Sequence, residues 1–216
     1  MDTLKEHFQV FLDSAKSEIA TKMNLILKGA FLATVSTAIP FSEYILASES
    51  RTLYPAGVHS TNGSILNAES LLRTPNGSAV FNGPSAVTFD FGKNVGGVVS
   101  VEVGSSSSPN ASIGLTYTES SLWINTQACD ATGGPQLDEP LWLPVGEGPG
   151  TYTVARYHDR GAFRYLTVVS NTNASIEVKS VSTYFTAAPL QNLTRYEGYF
   201  HSNDEQLNRI WYAGKL

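Results

Sequence analysis

The sequence has almost no cysteine: Cys129 is the single one among 216 residues. No disulfide can form within the chain, so its order has to come from a hydrophobic core. Charge is also scarce. Fourteen Lys and Arg stand against 19 Asp and Glu, charged residues make up 15% of the chain, and the formal net charge is -5. No Lys/Arg cluster or aromatic-basic stripe offsets that sign, which argues against a nucleic-acid partner. The four His, at positions 7, 59, 158 and 201, are scattered and show no metal-ligand spacing, and neither a metal nor a cofactor is expected. No apolar run reaches the roughly 20 residues needed to cross a bilayer. Between residues 50 and 200 no helical period lasts longer than a turn or two, which excludes alternating β and α units.

Short apolar alternations fill that space. Val87, Phe89 and Phe91 point one way while Thr88 and Asp90 point the other, and Val99, Val101 and Val103 alternate with Ser100 and Glu102. Ile113, Leu115 and Tyr117 repeat the pattern, followed by Tyr152 and Val154, by residues 163 to 169 and by residues 176 to 185. Each run reads as a strand with one buried face, and the turn-rich stretches between them suit an all-β, jelly-roll-like sandwich. Gly92-Lys93-Asn94-Val95-Gly96-Gly97 joins two such runs, so it reads as a turn and not as a phosphate loop, which requires a following helix. Gly96 and Gly97 are expected to serve close packing or positive backbone dihedrals.

Residues 120 to 150 break the pattern. They hold Trp123 and Trp142 among Gly, Pro and acidic residues and read as a long excursion from the sandwich, of a kind that is functional or pinned against another domain. Cys129 falls there and reads as a loop thiol. Trp123, Trp142 and Tyr117, with Tyr152, are the candidate carbohydrate-binding residues, because apolar sugar faces stack on such rings; the alternative is core or interdomain packing. Glycoside hydrolysis needs two facing carboxylates. Glu119, Asp138, Glu139 and Glu147 are the acids available, and nothing in their spacing sets a second acid against any of them, so no catalytic residue is assigned. His158-Asp159-Arg160 lacks a nucleophile motif and a second spaced His. Arg160 and Arg164 flank the start of a core strand, where their guanidinium forks are expected to tie loops to carboxylates or carbonyls.

The N-terminus carries targeting features. Residues 23 to 38, Met23 through Ala38, read as a secretory signal peptide starting at the second methionine, with Ser36 and Ala38 as the small residues before the cleavage site. Residues 1 to 22 form an N-terminal extension that fits no signal role, and the mature chain is expected to begin near Ile39. A membrane anchor is the competing reading, but Pro40 cuts the run short. Secretion has a second mark in the glycosylation sequons at Asn62, Asn76, Asn110, Asn173 and Asn192. The expected location is extracellular, with no membrane span in the mature form.

At the other end, Ser202 and Glu205 make a capping-box spacing, and Leu207, Ile210, Trp211 and Gly214 follow at intervals of three and four, predicting an amphipathic helix that buries an aromatic face. Residues 199 to 214 resemble the junction where fungal α-L-rhamnosidases, glycoside hydrolase family 78, pass from an all-β domain into a helical (α/α) barrel. Four further blocks resemble β-region segments of the same family in the same order: Phe89 through Val99, Tyr117-Thr118-Glu119-Ser120-Ser121-Leu122-Trp123, Asp138-Glu139-Pro140-Leu141-Trp142, and Arg160-Gly161-Ala162-Phe163-Arg164-Tyr165-Leu166. Together they cover roughly residues 43 to 214. The resemblance implies a β-domain over residues 39 to 200 and the start of a barrel over residues 201 to 216, cut short at its first helix. It implies an intact enzyme that releases terminal L-rhamnose from plant glycosides or polysaccharides, with its acid and base in the barrel. A stand-alone carbohydrate-binding module and a degenerate gene fragment are the alternatives.

Overall fold

The computed structural model describes residues 40–72, 77–130, 139–187, 192–195 and 198–214. The expected leader, Asn76 and Asp138 lie outside the described residues. By compactness the chain divides between Glu43 and Tyr44, and everything below belongs to the second unit, Tyr44–Leu216.

Its described residues are all-β with one short α-helix. The strands are β1 (Thr52–Leu53), β2 (Gly57–Leu66), β3 (Ala79–Ser106), β4 (Ser112–Thr118), β5 (Leu141–Pro144), β6 (Gly150–Thr153), β7 (Ala162–Ser170) and β8 (Ser175–Phe185), followed by helix α1 (Glu205–Ala213). They pair antiparallel in the order β1-β8-β3-β7-β4-β5, with β2 and β6 each added to β3. β3 is 28 residues long, and its two ends meet across one neighbour: Val178 of β8 lies opposite Ala79 on one side and Val103 on the other. The sheet therefore curls round and closes over its own interior.

Every run read as a strand from its alternation is one. Val87, Phe89, Val99, Val101, Val103, Ile113, Leu115, Phe163, Val168, Ile176, Val178 and Val181 are all buried. Phe163 stands edge-on to both Phe91 and Tyr117, with ring centroids 5.4 and 5.1 Å away. Gly97 answers the expectation of close packing: a Cβ there would lie 2.1 Å from the Tyr184 carbonyl oxygen. Besides the two-residue β1, two strands were not legible. β2 is mostly exposed along its length, so it carries no alternation and is held by its pairing with β3. β5 lies inside the segment read as an excursion and ends at Pro144, on an edge strand where a missing N–H costs no ladder bond.

Cys129 is a loop thiol as expected, buried in an irregular segment with its thiol donating to the Glu139 carbonyl at 3.5 Å. Three expectations need correction. Gly92 to Gly97 do not join two strands as a turn but lie within the continuous strand β3, whose pairing with β7 shifts register between Asp90 and Val95. The helix cap is Asp204, whose Oδ1 accepts from Gln206 N and Leu207 N at 2.9 and 3.1 Å. Ser202 instead bonds to the backbone N–H and C=O of Asp204, and Glu205 accepts from Tyr44 Oη and Arg209 Nε. The buried face of α1 is Asn208 and Tyr212, while Leu207 and Ile210 are exposed. Tyr212 stacks on Tyr44 with centroids 5.4 Å apart, and Asn208 accepts from Ser202 N at 2.8 Å. The contacts made by Tyr44, far away in the chain, select that face; helical spacing alone could not reveal them.

Candidate carbohydrate-binding site

Strand register sets five residues of one face side by side. Asn62 on β2 lies opposite Ala86 on β3, Ala86 opposite Val169 on β7, Val169 opposite Gly114 on β4, and Gly114 opposite Trp142 on β5. Directly paired residues share a face of the sheet, so these form a single cross-strand row. The next row, Val87, Val168, Leu115 and Leu141, points the other way into the core. The middle of the outer row is small, and its ends carry an amide and an indole. The result is a trough with a low apolar floor.

Above this floor lies a cleft of about 630 Å³, walled by Trp142, Thr126, Gln127, Asn62 and Asn171. Its size falls within the usual range for small-molecule sites, and its walls combine one large ring with amide and hydroxyl groups. The indole is fixed from below. A Cβ on Gly114 would come within 2.8 to 3.0 Å of Trp142 Cζ3, Cη2 and Cε3, so the six-membered ring lies directly on the glycine. Only a residue without a side chain permits that contact, and Trp142 remains 42% exposed.

Trp142 and Pro140 also line a second cleft of about 360 Å³ at the open edge of β5, together with Val154, Glu139, His158 and Arg160. The Nη2 of Arg160 donates to the Glu139 carbonyl at 3.4 Å, while its Nε is buried without a hydrogen-bond partner among the described residues.

The aromatic candidates are not brought together. Trp142 occupies the site; Trp123 is exposed on a single 3-10 turn, Ser121–Trp123, and lines neither cleft. Tyr117 lies in the core against Phe163, where burial above all pushes its phenol pKa well above the ordinary range. Its ring face is not on offer to a sugar. Tyr152 is partly buried and donates to the Gly148 carbonyl at 2.8 Å. Among the acids, Glu119 accepts from Asn94 Nδ2 at 2.9 Å, neither Glu119 nor Glu147 lines a cleft, and Glu139 stands in the second cleft without another carboxylate among the described residues. Among the described residues, no three His, Cys, Asp or Glu gather as a metal site, and no helix is long and apolar enough to cross a membrane. Asn62, Asn110, Asn173 and Asn192 are all exposed.

Sequence reading missed Asn62, Thr126, Gln127 and Asn171 as cleft walls, because it treated Asn62 only as a glycan acceptor and the others as loop residues. One local signal was present: Gly114 interrupts the outward face of an otherwise well-formed strand, which marks a close approach.

The sequence matches no family model and no curated protein. Among solved structures, the chain is similar to a rhamnosidase from Klebsiella oxytoca with rhamnose bound, at 16% identity and a TM-score of 0.44 over 67% of this chain and 30% of that one. It is also similar to the CBM32 module of AlyQ in complex with 4,5-unsaturated mannuronic acid, at 9% identity and a TM-score of 0.38 over 62% of this chain and 98% of that one. A third is CBM32-1 from a family 31 glycoside hydrolase of Clostridium perfringens, at 10% identity and a TM-score of 0.38 over 61% and 96% of the two chains. The chain thus spans under a third of the rhamnosidase's length.

Proposed function

We propose that this chain is a non-catalytic, carbohydrate-holding β-domain of a secreted, N-glycosylated α-L-rhamnosidase-like glycoside hydrolase, whose acid and base lie in a helical barrel. One observation carries the binding role: the Trp142 indole, seated on Gly114, stands over a cleft whose lining also includes amide and hydroxyl groups. A ring fixed on one face and open to a cleft can stack on the apolar face of a sugar. Gln127 and Asn171 carry both donors and acceptors, the chemistry that sugar hydroxyls require. Hydrolysis is assigned elsewhere because neither cleft holds two facing carboxylates among the described residues.

Calorimetric titration of the purified chain with rhamnosides and plant oligosaccharides tests this. Binding is expected to weaken about tenfold or more in Trp142→Ala, the loss of one well-placed aromatic contact, and to be unchanged in Trp123→Ala. Flat titrations across such a panel, or equal affinity for wild type and Trp142→Ala, defeat the binding role.

A further inference from the structure

Asn62 and Trp142 stand at opposite ends of one cross-strand row. The row runs Asn62, Ala86, Val169, Gly114, Trp142, and the indole lies back over Gly114, so the small Ala86 and Val169 form the floor between the Asn62 side chain and the ring. Paired strands are about 4.8 Å apart, which sets the strand of Asn62 roughly 14 Å from the strand beneath the indole. Both residues line the larger cleft.

Asn62 also opens the sequon Asn62-Gly63-Ser64. It is exposed, the pairing of β2 with β3 shifts register between Asn62 and Ser64, and Gly63 takes a φ of 76°. The acceptor amide is thus carried on a surface bulge. Asn110, Asn173 and Asn192, the other sequon residues described, are exposed as well, yet none of them lines either cleft. A glycan on Asn62 alone among these starts inside a trough that ends in an aromatic ring.

We infer that the glycan borne by Asn62 lies along this trough instead of projecting into solvent, its first two N-acetylglucosamine units crossing Ala86 and Val169 and the second stacking on the Trp142 indole. This rests on the glycosylated, sugar-holding reading of the Trp142 cleft given above and adds a means of regulation: the chain carries its own occupant, which an outside saccharide must displace. The transfer joins the anomeric carbon of a lipid-linked oligosaccharide to Asn62 Nδ2; the amide gives up one proton and the lipid pyrophosphate leaves. An asparagine side chain with a disaccharide stem is about as long as three strand spacings, so the stem reaches the ring. Its flat β-linked rings present apolar faces to the indole and the floor, while their acetamido and hydroxyl groups meet Thr126, Gln127 and Asn171. Tethering at Asn62 holds the stem at a high effective concentration, so one modest stacking contact is enough to seat it.

The test uses chain secreted from a eukaryotic host that makes high-mannose glycans. Endoglycosidase H, which cuts between the first two N-acetylglucosamine units, is applied to the undenatured chain, and each site is followed by glycopeptide mass spectrometry. Cleavage at Asn62 is expected to be about tenfold or more slower than at Asn110, the hold of one aromatic contact on a tethered sugar, and to match Asn110 after denaturation. In Trp142→Ala the two sites are expected to be cut alike. Should that variant not fold, Trp142→Leu serves, since it keeps a side chain over Gly114 but no ring. Protection that survives loss of the ring is crowding by the strand and overturns the inference; so do equal rates in wild type, or a secreted chain with no glycan on Asn62. Each of these leaves the Trp142 reading standing where glycan-free chain binds saccharide. Ring-dependent protection beside flat titrations of glycan-free chain keeps the seated glycan and removes the outside ligand, whereas equal rates beside flat titrations remove both.

Discussion

Arg164 holds Asp90 with two bonds of 2.9 Å, Nε to Oδ1 and Nη2 to Oδ2. Asp90 is paired with Tyr165, and the next pair along the strands is Val95 with Phe163, so residues 91 to 94 swing out of the ladder directly opposite Arg164. Asp90 Oδ1 also accepts from Gly92 N at 2.6 Å. One carboxylate thus anchors both the neighbouring strand and the start of the bulge. The expected guanidinium fork is found here, and its target is the carboxylate at the start of the glycine-rich bulge within β3.

This pair makes stability depend on acid. Arg164 above all holds the Asp90 carboxyl below its ordinary value of 3.8, partly opposed by burial and helped by the Gly92 amide. A carboxyl depressed in the folded state contributes stability above its unfolded pKa and loses it as pH falls through the lower folded value. Asp90→Asn is therefore expected to lower the urea midpoint at neutral pH, and the gap from wild type is expected to close in acid, as pH falls below the ordinary value of 3.8 and through the depressed folded value. Urea melts at neutral and acid pH check this, and a gap unchanged in acid rejects it.

Phe163 is the core's pivot between the curled strand and its neighbours, being 1% exposed and edge-on to two aromatic rings. Phe163→Ala is expected to cost about 3–5 kcal/mol, because the surrounding strands cannot collapse into the cavity. Phe163→Leu should cost much less. Chemical denaturation of both variants decides the matter.

Gly114→Ala separates the platform from the fold. The added methyl would collide with the Trp142 ring, so the indole must tip away, at a cost of about 1–3 kcal/mol if it resists. Far-UV circular dichroism is expected to remain that of wild type while saccharide affinity falls nearly as far as in Trp142→Ala. Undiminished affinity means the ring does not need its seat on the strand.

Asn62 lines the larger cleft and is exposed in a sequon. Chain secreted from a eukaryotic host is expected to carry a glycan there, crowding the cleft mouth. Asn62→Gln is then expected to lose one glycan by intact mass and to bind saccharide more tightly than the glycosylated wild type, whereas Asn110→Gln should lose a glycan with no change in binding.

The β-class of this protein was written in local alternation: residues such as Val99, Val101 and Val103 declare a buried face without reference to any other part of the chain. The scarcity of charge and of cysteine set its core-dependent character in the same way. What stayed hidden depended on partners far apart in sequence. β2 exposes most of its residues, with only Val58 and Ile65 packing on the core, and exists through β3. The buried face of α1 was chosen by Tyr44, and Tyr117 and Trp142, equal candidates as aromatic residues, were separated by burial. The cleft itself is a matter of register, since Asn62, Ala86, Val169, Gly114 and Trp142 become neighbours only when five strands align, and no single-strand pattern encodes an alignment between strands.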